Sequence, residues 1–205
     1  MLKRWLLVAI LCGLLVSACS KKSVIRRYYV IEMPALETQN IQGLQQFDYK
    51  VDVRDFRVGS AFDQTRIALR TRSHELNYYY YHHWAVKPSQ SVADVVYEFG
   101  EQTDVFRQLF RGISYNPDYL ITGQVKSIER IEEKNASFAH LSLQLELLNA
   151  ESEVTVVQHE IDQTLPLEEG TMNEFAQQIS EIILMANQEF FAQVSTYLTE
   201  QQNDI

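Results

Sequence analysis

Glycine is scarce in this sequence, with 7 residues in all, and the scarcity removes most of the backbone cradles that hold phosphate groups. No G-x-S-x-G elbow, P-loop, H-E-x-x-H helix or glycine-rich dinucleotide turn occurs. The residues therefore point to no catalytic set, and the chain is expected not to be an enzyme. Cysteine is scarcer still, with 2 residues, Cys12 and Cys19. Both lie in or at the end of an N-terminal apolar segment, so whatever folds after it has no thiol for a disulfide or a metal site. Positive charge is also in deficit, with 18 Lys and Arg against 27 Asp and Glu. Such a balance repels phosphate backbones, so nucleic acid is not an expected partner. Histidine is the remaining metal ligand, and His82 and His83 are adjacent. On a strand they point to opposite sides and do not easily share one ion; a site of one of them with His74 or Glu75 is the alternative, and neither metal nor cofactor is expected.

Long hydrophobic runs are absent except for one, Leu6 to Val16. It follows the positive pair Lys3 and Arg4, ends at the small residues Ser17 and Ala18, and meets Cys19 directly. A membrane-crossing helix needs about 20 apolar residues. This run is shorter and has the order of a bacterial lipoprotein leader. Residues 1–18 are then removed, and the Cys19 thiol carries a diacylglycerol while the freed amine accepts a further acyl chain. More than one buried chain makes a long-lived membrane anchor. Residues 19–27 form a lipidated tether with the only dense basic cluster, Lys21, Lys22, Arg26 and Arg27. Residues 28–205 form a single domain, large enough for one well-cored unit and too small for two.

Within that domain a first strand is predicted over Val24 to Glu32, stopped by Pro34, followed by a glutamine-rich loop over residues 35–46. Phe47, Tyr49, Val51 and Val53 alternate with polar neighbours, the period of a half-buried strand, and Phe56 and Val58 continue it after a bend. Two extended pieces follow, Arg66 to Arg72 and Glu75 to Trp84. Ser91 is a candidate cap for a helix reaching about Phe110, because Val92, Val95, Val96, Phe99, Phe106, Leu109 and Phe110 recur at helical spacing. Long strands are predicted over Tyr119 to Ile131 and Phe138 to Leu148, with a turn at Asn149 to Ser152 and a returning strand over Val154 to Ile161. Thr171 and Glu174 make a capping box for a final helix, whose stripe runs from Met172 through Phe175, Ile179, Ile183, Phe190 and Val194 to Leu198. Six or seven strands and two helices imply an α/β fold of the α+β type, a twisted, mostly antiparallel sheet with both helices on it.

Four consecutive tyrosines, Tyr78 to Tyr81, are the most unusual feature of the domain. Alternation puts Leu76, Tyr78, Tyr80, His82 and Trp84 on one side, expected to face the core. Tyr79, Tyr81 and His83 fall on the other, a candidate partner-binding surface, since tyrosine is enriched at interfaces.

The run I-A-L-R, Ile67 to Arg70, followed by H-E-L-x-Y-Y-Y-Y-H-H-W-A-V-K-P, His74 to Pro88, resembles the ABC-type transport auxiliary lipoproteins, the group of paraquat-inducible protein C. Arg70, Tyr80, Trp84, Ala85, Pro88 and Gly123 carry the resemblance. It implies a lipid-anchored protein on the periplasmic face of the outer membrane of a Gram-negative envelope, with the inner membrane as the alternative. Its implied partners are an MCE-domain protein, which forms a hydrophobic conduit for lipids, and the associated ABC or permease components. The implied role is to dock that conduit to a membrane. Two other readings stay open, an envelope lipoprotein that activates a peptidoglycan synthase or a surface-assembly machine, and a carrier that binds lipid inside its own fold.

Overall fold

A computed structural model of the chain describes residues 25–35 and 45–203; Cys19, the leader and most of the glutamine-rich loop lie outside the described residues. Among the described residues nine strands and two helices follow in order. They are β1 (Arg27–Tyr29), β2 (Phe47–Val53), β3 (Arg57–Val58), β4 (Arg66–Arg72), β5 (Glu75–Trp84), α1 (Pro88–Thr103), β6 (Phe106–Arg111), β7 (Tyr119–Glu132), β8 (Ser137–Asn149), β9 (Thr155–Pro166) and α2 (Met172–Asn203). The α/β class with two helices on one sheet is as expected. The strand count is higher, because Arg57–Val58 and Phe106–Arg111 are strands in their own right.

β7 is the spine of the sheet. On one side it pairs along its length with antiparallel β8, from Tyr119↔Asn149 to Glu132↔Ser137, and β8 pairs in turn with antiparallel β9. Its other side is shared end to end by three parallel strands. β2 lies against Tyr119 to Ile121, β3 against Gln124 and Val125, and β4 against Glu129 to Ile131. Parallel β6 extends the β2 arm, while β5 and then β1 extend the β4 arm. The sheet is mixed: its longest ladders are antiparallel and the joints around β7 are parallel.

The core lies between this sheet and the helices. Leu141, Leu143, Leu145 and Leu147 of β8 are fully buried, and α2 lies over β8 and β9. The α2 stripe meets them through Phe175, Ile179, Ile182, Ile183, Phe190, Val194 and Leu198, all fully buried. The Phe191 ring packs, tilted, against Phe99 with centroids 5.0 Å apart and so joins α2 to α1. The helix begins as its capping box requires: the Glu174 amide donates to Thr171 Oγ1 at 3.1 Å. The Glu174 carboxylate accepts from the amides of Glu168 and Glu169, upstream of the cap, and so fixes the approach to the helix as well.

The first helix differs from expectation at both ends. It starts at Pro88, whose fixed φ and missing amide hydrogen suit the first helical position. Ser91 therefore sits inside the first turn and donates to the Lys87 carbonyl at 3.2 Å instead of capping. The helix stops at Thr103, where Asp104 turns left-handed at φ 52°. Phe106, Leu109 and Phe110 have helical spacing, yet the open edge of β2 takes that segment as β6, and Phe106 still reaches Phe191 at 6.3 Å. Arg111 fastens the new strand, donating to Asp94 of α1 at 2.7 Å and to Asp55 at 2.6 Å.

Gly123, in mid-β7, is required by space. A Cβ there would run into the Gln144 carbonyl oxygen of β8 and lie 2.7 Å from the Phe56 ring. No helix among the described residues is long and apolar enough to cross a membrane.

Candidate functional site

The tyrosine run lies on the β5 strand beside the short edge strand β1. β1 joins parallel to β5 through Arg27↔His82, Tyr28↔His83 and Tyr29↔Trp84, and the Ala85 amide donates to the Tyr29 carbonyl at 2.7 Å. Against β4, on its other side, β5 does not keep register. Arg66 pairs with His83 and Ala68 with Tyr78, so five steps on β5 oppose two on β4. Tyr79 to His82, four residues against the single Ile67, leave the register with β4, and such a bulge breaks the alternation of side chains.

The two faces expected for the run are corrected accordingly. Tyr78 is half-buried, and its hydroxyl donates to the Ala61 carbonyl at 2.9 Å beneath the Arg66 guanidinium. Tyr79, placed outward by alternation, is also half-buried and donates to Glu132 Oε1 at 2.8 Å. Burial, helped by that carboxylate, raises its pKa. Tyr80, placed inward, is 67% exposed, and Tyr81 is 39% exposed, the two rings meeting edge to face at 4.7 Å. His83, placed outward, is only 8% exposed, and its Nε2 lies 3.1 Å from the Tyr80 carbonyl. A carbonyl only accepts, so that nitrogen carries the proton. Tyr79, Tyr81 and His83 therefore do not form one open surface.

His82 lies on the helix side with Tyr29, whose hydroxyl meets its Nδ1 at 2.9 Å. Burial, then the charges of Arg27 and Arg130, lower its pKa, so the ring is neutral at pH 7 and accepts from Tyr29. His74 is at the far end of β5, bonded to Ser73. Among the described residues no three His, Cys, Asp or Glu side chains are grouped to hold a metal.

Five of the positions that carried the family resemblance have structural work. Trp84 is buried 5.5 Å from Phe175, Ala85 bonds β1, Pro88 opens α1, and Gly123 admits Phe56. Arg70 donates to Glu129 Oε1 at 2.8 Å. Tyr80 alone projects a large ring into solvent.

The Arg70 contact belongs to a polar chain that sequence reasoning missed. Glu129 is nearly fully buried on β7; His140 of β8 places Nδ1 3.4 Å from Glu129 and Nε2 3.0 Å from Asp162 of β9. The hydrogen bond to Glu129 raises the pKa of His140 against the effect of burial, and Asp162 adds to the rise. Burial pulls Glu129 upward, but His140 and Arg70 outweigh it and hold the carboxyl below its usual range. The available signal was Glu129 interrupting the apolar rhythm of β7, opposite a histidine on the next strand.

The family model for the ABC-type transport auxiliary lipoprotein component matches residues 29–189. No curated protein matches the sequence. The fold is similar to the crystal structure of a DUF330 protein of Xanthomonas campestris, at 18% identity and a TM-score of 0.73, over 87% of this chain and 98% of that one. It is also similar to the crystal structure of an uncharacterised protein, at 9% identity and a TM-score of 0.61, over 85% of this chain and 99% of that one. The match from β1 into α2 spans both arms of the sheet and both helices: the chain belongs to the family of ABC-type transport auxiliary lipoprotein components.

Proposed function

We propose that this auxiliary lipoprotein serves an MCE-type lipid-transport system as a non-catalytic component, anchored by acylated Cys19 at the periplasmic face of the outer membrane. In this reading the folded domain docks the MCE conduit, with its ABC or permease components, to the membrane. The family match carries the reading, since it covers residues 29–189, most of the folded unit, and names a transport accessory. Two features support it. The core is filled by side chains, with Phe99, Phe175, Phe190 and Phe191 all buried, and the clefts beside β1 and α2 are open troughs. That arrangement suits a docking unit better than a carrier enclosing its own lipid. The exposed Tyr80 and Tyr81 rings add an aromatic surface with no use inside the fold.

The test is affinity capture of the full-length lipoprotein from membranes of its own cells, with mass spectrometry of what accompanies it. An MCE-domain protein and transporter subunits are expected. Recovery of a peptidoglycan synthase in their place would sink the transport reading and favour an activator.

A further inference from the structure

Edge strand β1 has an outward side that an ordinary solvated edge would make polar. Tyr29 and Ile31 turn inward, while Tyr28 and Val30 alternate outward and are exposed, as is Ile25 just before them. The outward side continues across to β5. The Tyr28 ring is 5.7 Å from His83, His83 bonds the Tyr80 carbonyl, and Tyr80 meets Tyr81. The other exposed large apolar side chains among the described residues are Val86, just past the end of β5, and Ile113, Tyr115 and Val154, in the loop before β7 and the turn before β9. The aromatic edge is thus a distinct patch, and the chain enters the fold beside it.

What covers such a patch follows from the tether. Ile25 is six residues beyond Cys19, a span of at most about 20 Å even when fully extended. The patch therefore cannot leave the neighbourhood of an acylated Cys19. Lys21, Lys22, Arg26 and Arg27 lie along the same stretch of an otherwise acidic chain, and Arg26 and Arg27 are exposed. Basic residues within about 10 Å of an anionic leaflet are attracted to it, and tyrosine rings settle at the boundary between headgroups and hydrocarbon. The geometry points to the β1–β5 edge as a membrane-facing surface: Tyr28, Val30, Tyr80 and Tyr81 lie in the headgroup zone of an anionic bilayer and set the orientation of the domain on it. This inference rests on the proposed anchor at Cys19.

The test uses the full protein, processed in cells, purified in detergent and reconstituted into phosphatidylethanolamine–phosphatidylglycerol vesicles containing lipid with brominated chains. Two reporters are introduced, Tyr80→Trp in the patch and Tyr115→Trp on the loop before β7, with buried Trp84 as a constant background. Melting curves confirm folding, and Tyr28→Trp replaces the first reporter if Tyr80→Trp does not fold. Intact mass reads acylation separately. Quenching and a blue shift at position 80, absent at 115 and weaker when phosphatidylcholine replaces phosphatidylglycerol, are expected. Acylated, vesicle-bound protein with no quenching at position 80 overturns the orientation and leaves the anchor standing. Unacylated protein that is still quenched there removes the anchor and keeps the surface. If a Tyr80→Ala, Tyr81→Ala double variant loses captured MCE protein while a Tyr28→Trp reporter keeps full quenching, the two rings belong to a protein partner and the proposal fails for them.

Discussion

Single residues on the two sides of the sheet couple stability to pH. His140 gains two carboxylate partners on folding, so its pKa is raised above the ordinary 6.5 in the native state. Its contribution is complete below 6.5 and is lost as pH rises through the raised native value. His82 works in the opposite sense: its lowered native pKa removes stability as pH falls below 6.5. Denaturant melts of the wild type and His140→Gln separate the two. The gap between them should be largest near pH 5.5 and shrink toward alkaline pH; a constant gap would refute the pairing. Gly123→Ala is expected to cost about 3 kcal/mol, near the upper end for overpacking, because the Gln144 carbonyl belongs to a ladder and cannot move aside. Equilibrium unfolding measures it, and Gly112→Ala is not a substitute control, since Gly112 has φ 70°. The need for glycine at 123 was visible in the family resemblance. Its cause, the Phe56 ring crossing β7, was not, because only the third dimension brings residues 56, 123 and 144 together.

Elements with a clean period were legible and those with two competing instructions were not. β4 and β5 have the predicted bounds, β7 and β8 differ by a residue or so, and the α2 stripe is the one read from the sequence. The β6 segment reads in sequence as the end of a helix, since its apolar spacing satisfies a helix, while the unpaired edge of β2 that captures it cannot be seen locally. Alternation does not place the tyrosine side chains, because it presumes an unbroken ladder and the bulge opposite Ile67 is a property of the pairing with β4. The α2 cap is a case where sequence and structure agree, and it can be measured. Thr171→Ala should destabilise the domain by about 1 kcal/mol. Glu174→Gln should weaken it further through the Glu168 and Glu169 amides, which an unfolding titration of the double variant would show as a larger loss.

At the scale of the whole molecule, the testable statement is where the domain resides. Cys19→Ala should release the protein from the membrane fraction and abolish fatty-acid labelling, and wild-type protein should band with outer membranes on a density gradient. Quantitative membrane retention of labelled Cys19→Ala would reject the anchor, and banding solely with inner membranes would reject the outer-membrane assignment. The sheet topology has a separate consequence, for the order of events in time. β2 and β4 belong to different arms, and neither arm meets the other until β7 lies between them. β4 and β5 close locally as a hairpin, whereas β2 must wait for β6 and then for β7, whose last residue is Glu132. Such late, long-range closure slows folding. A chain emerging from its N-terminus thus stays an open set of fragments for more than half its length, and the sheet locks only when its spine arrives.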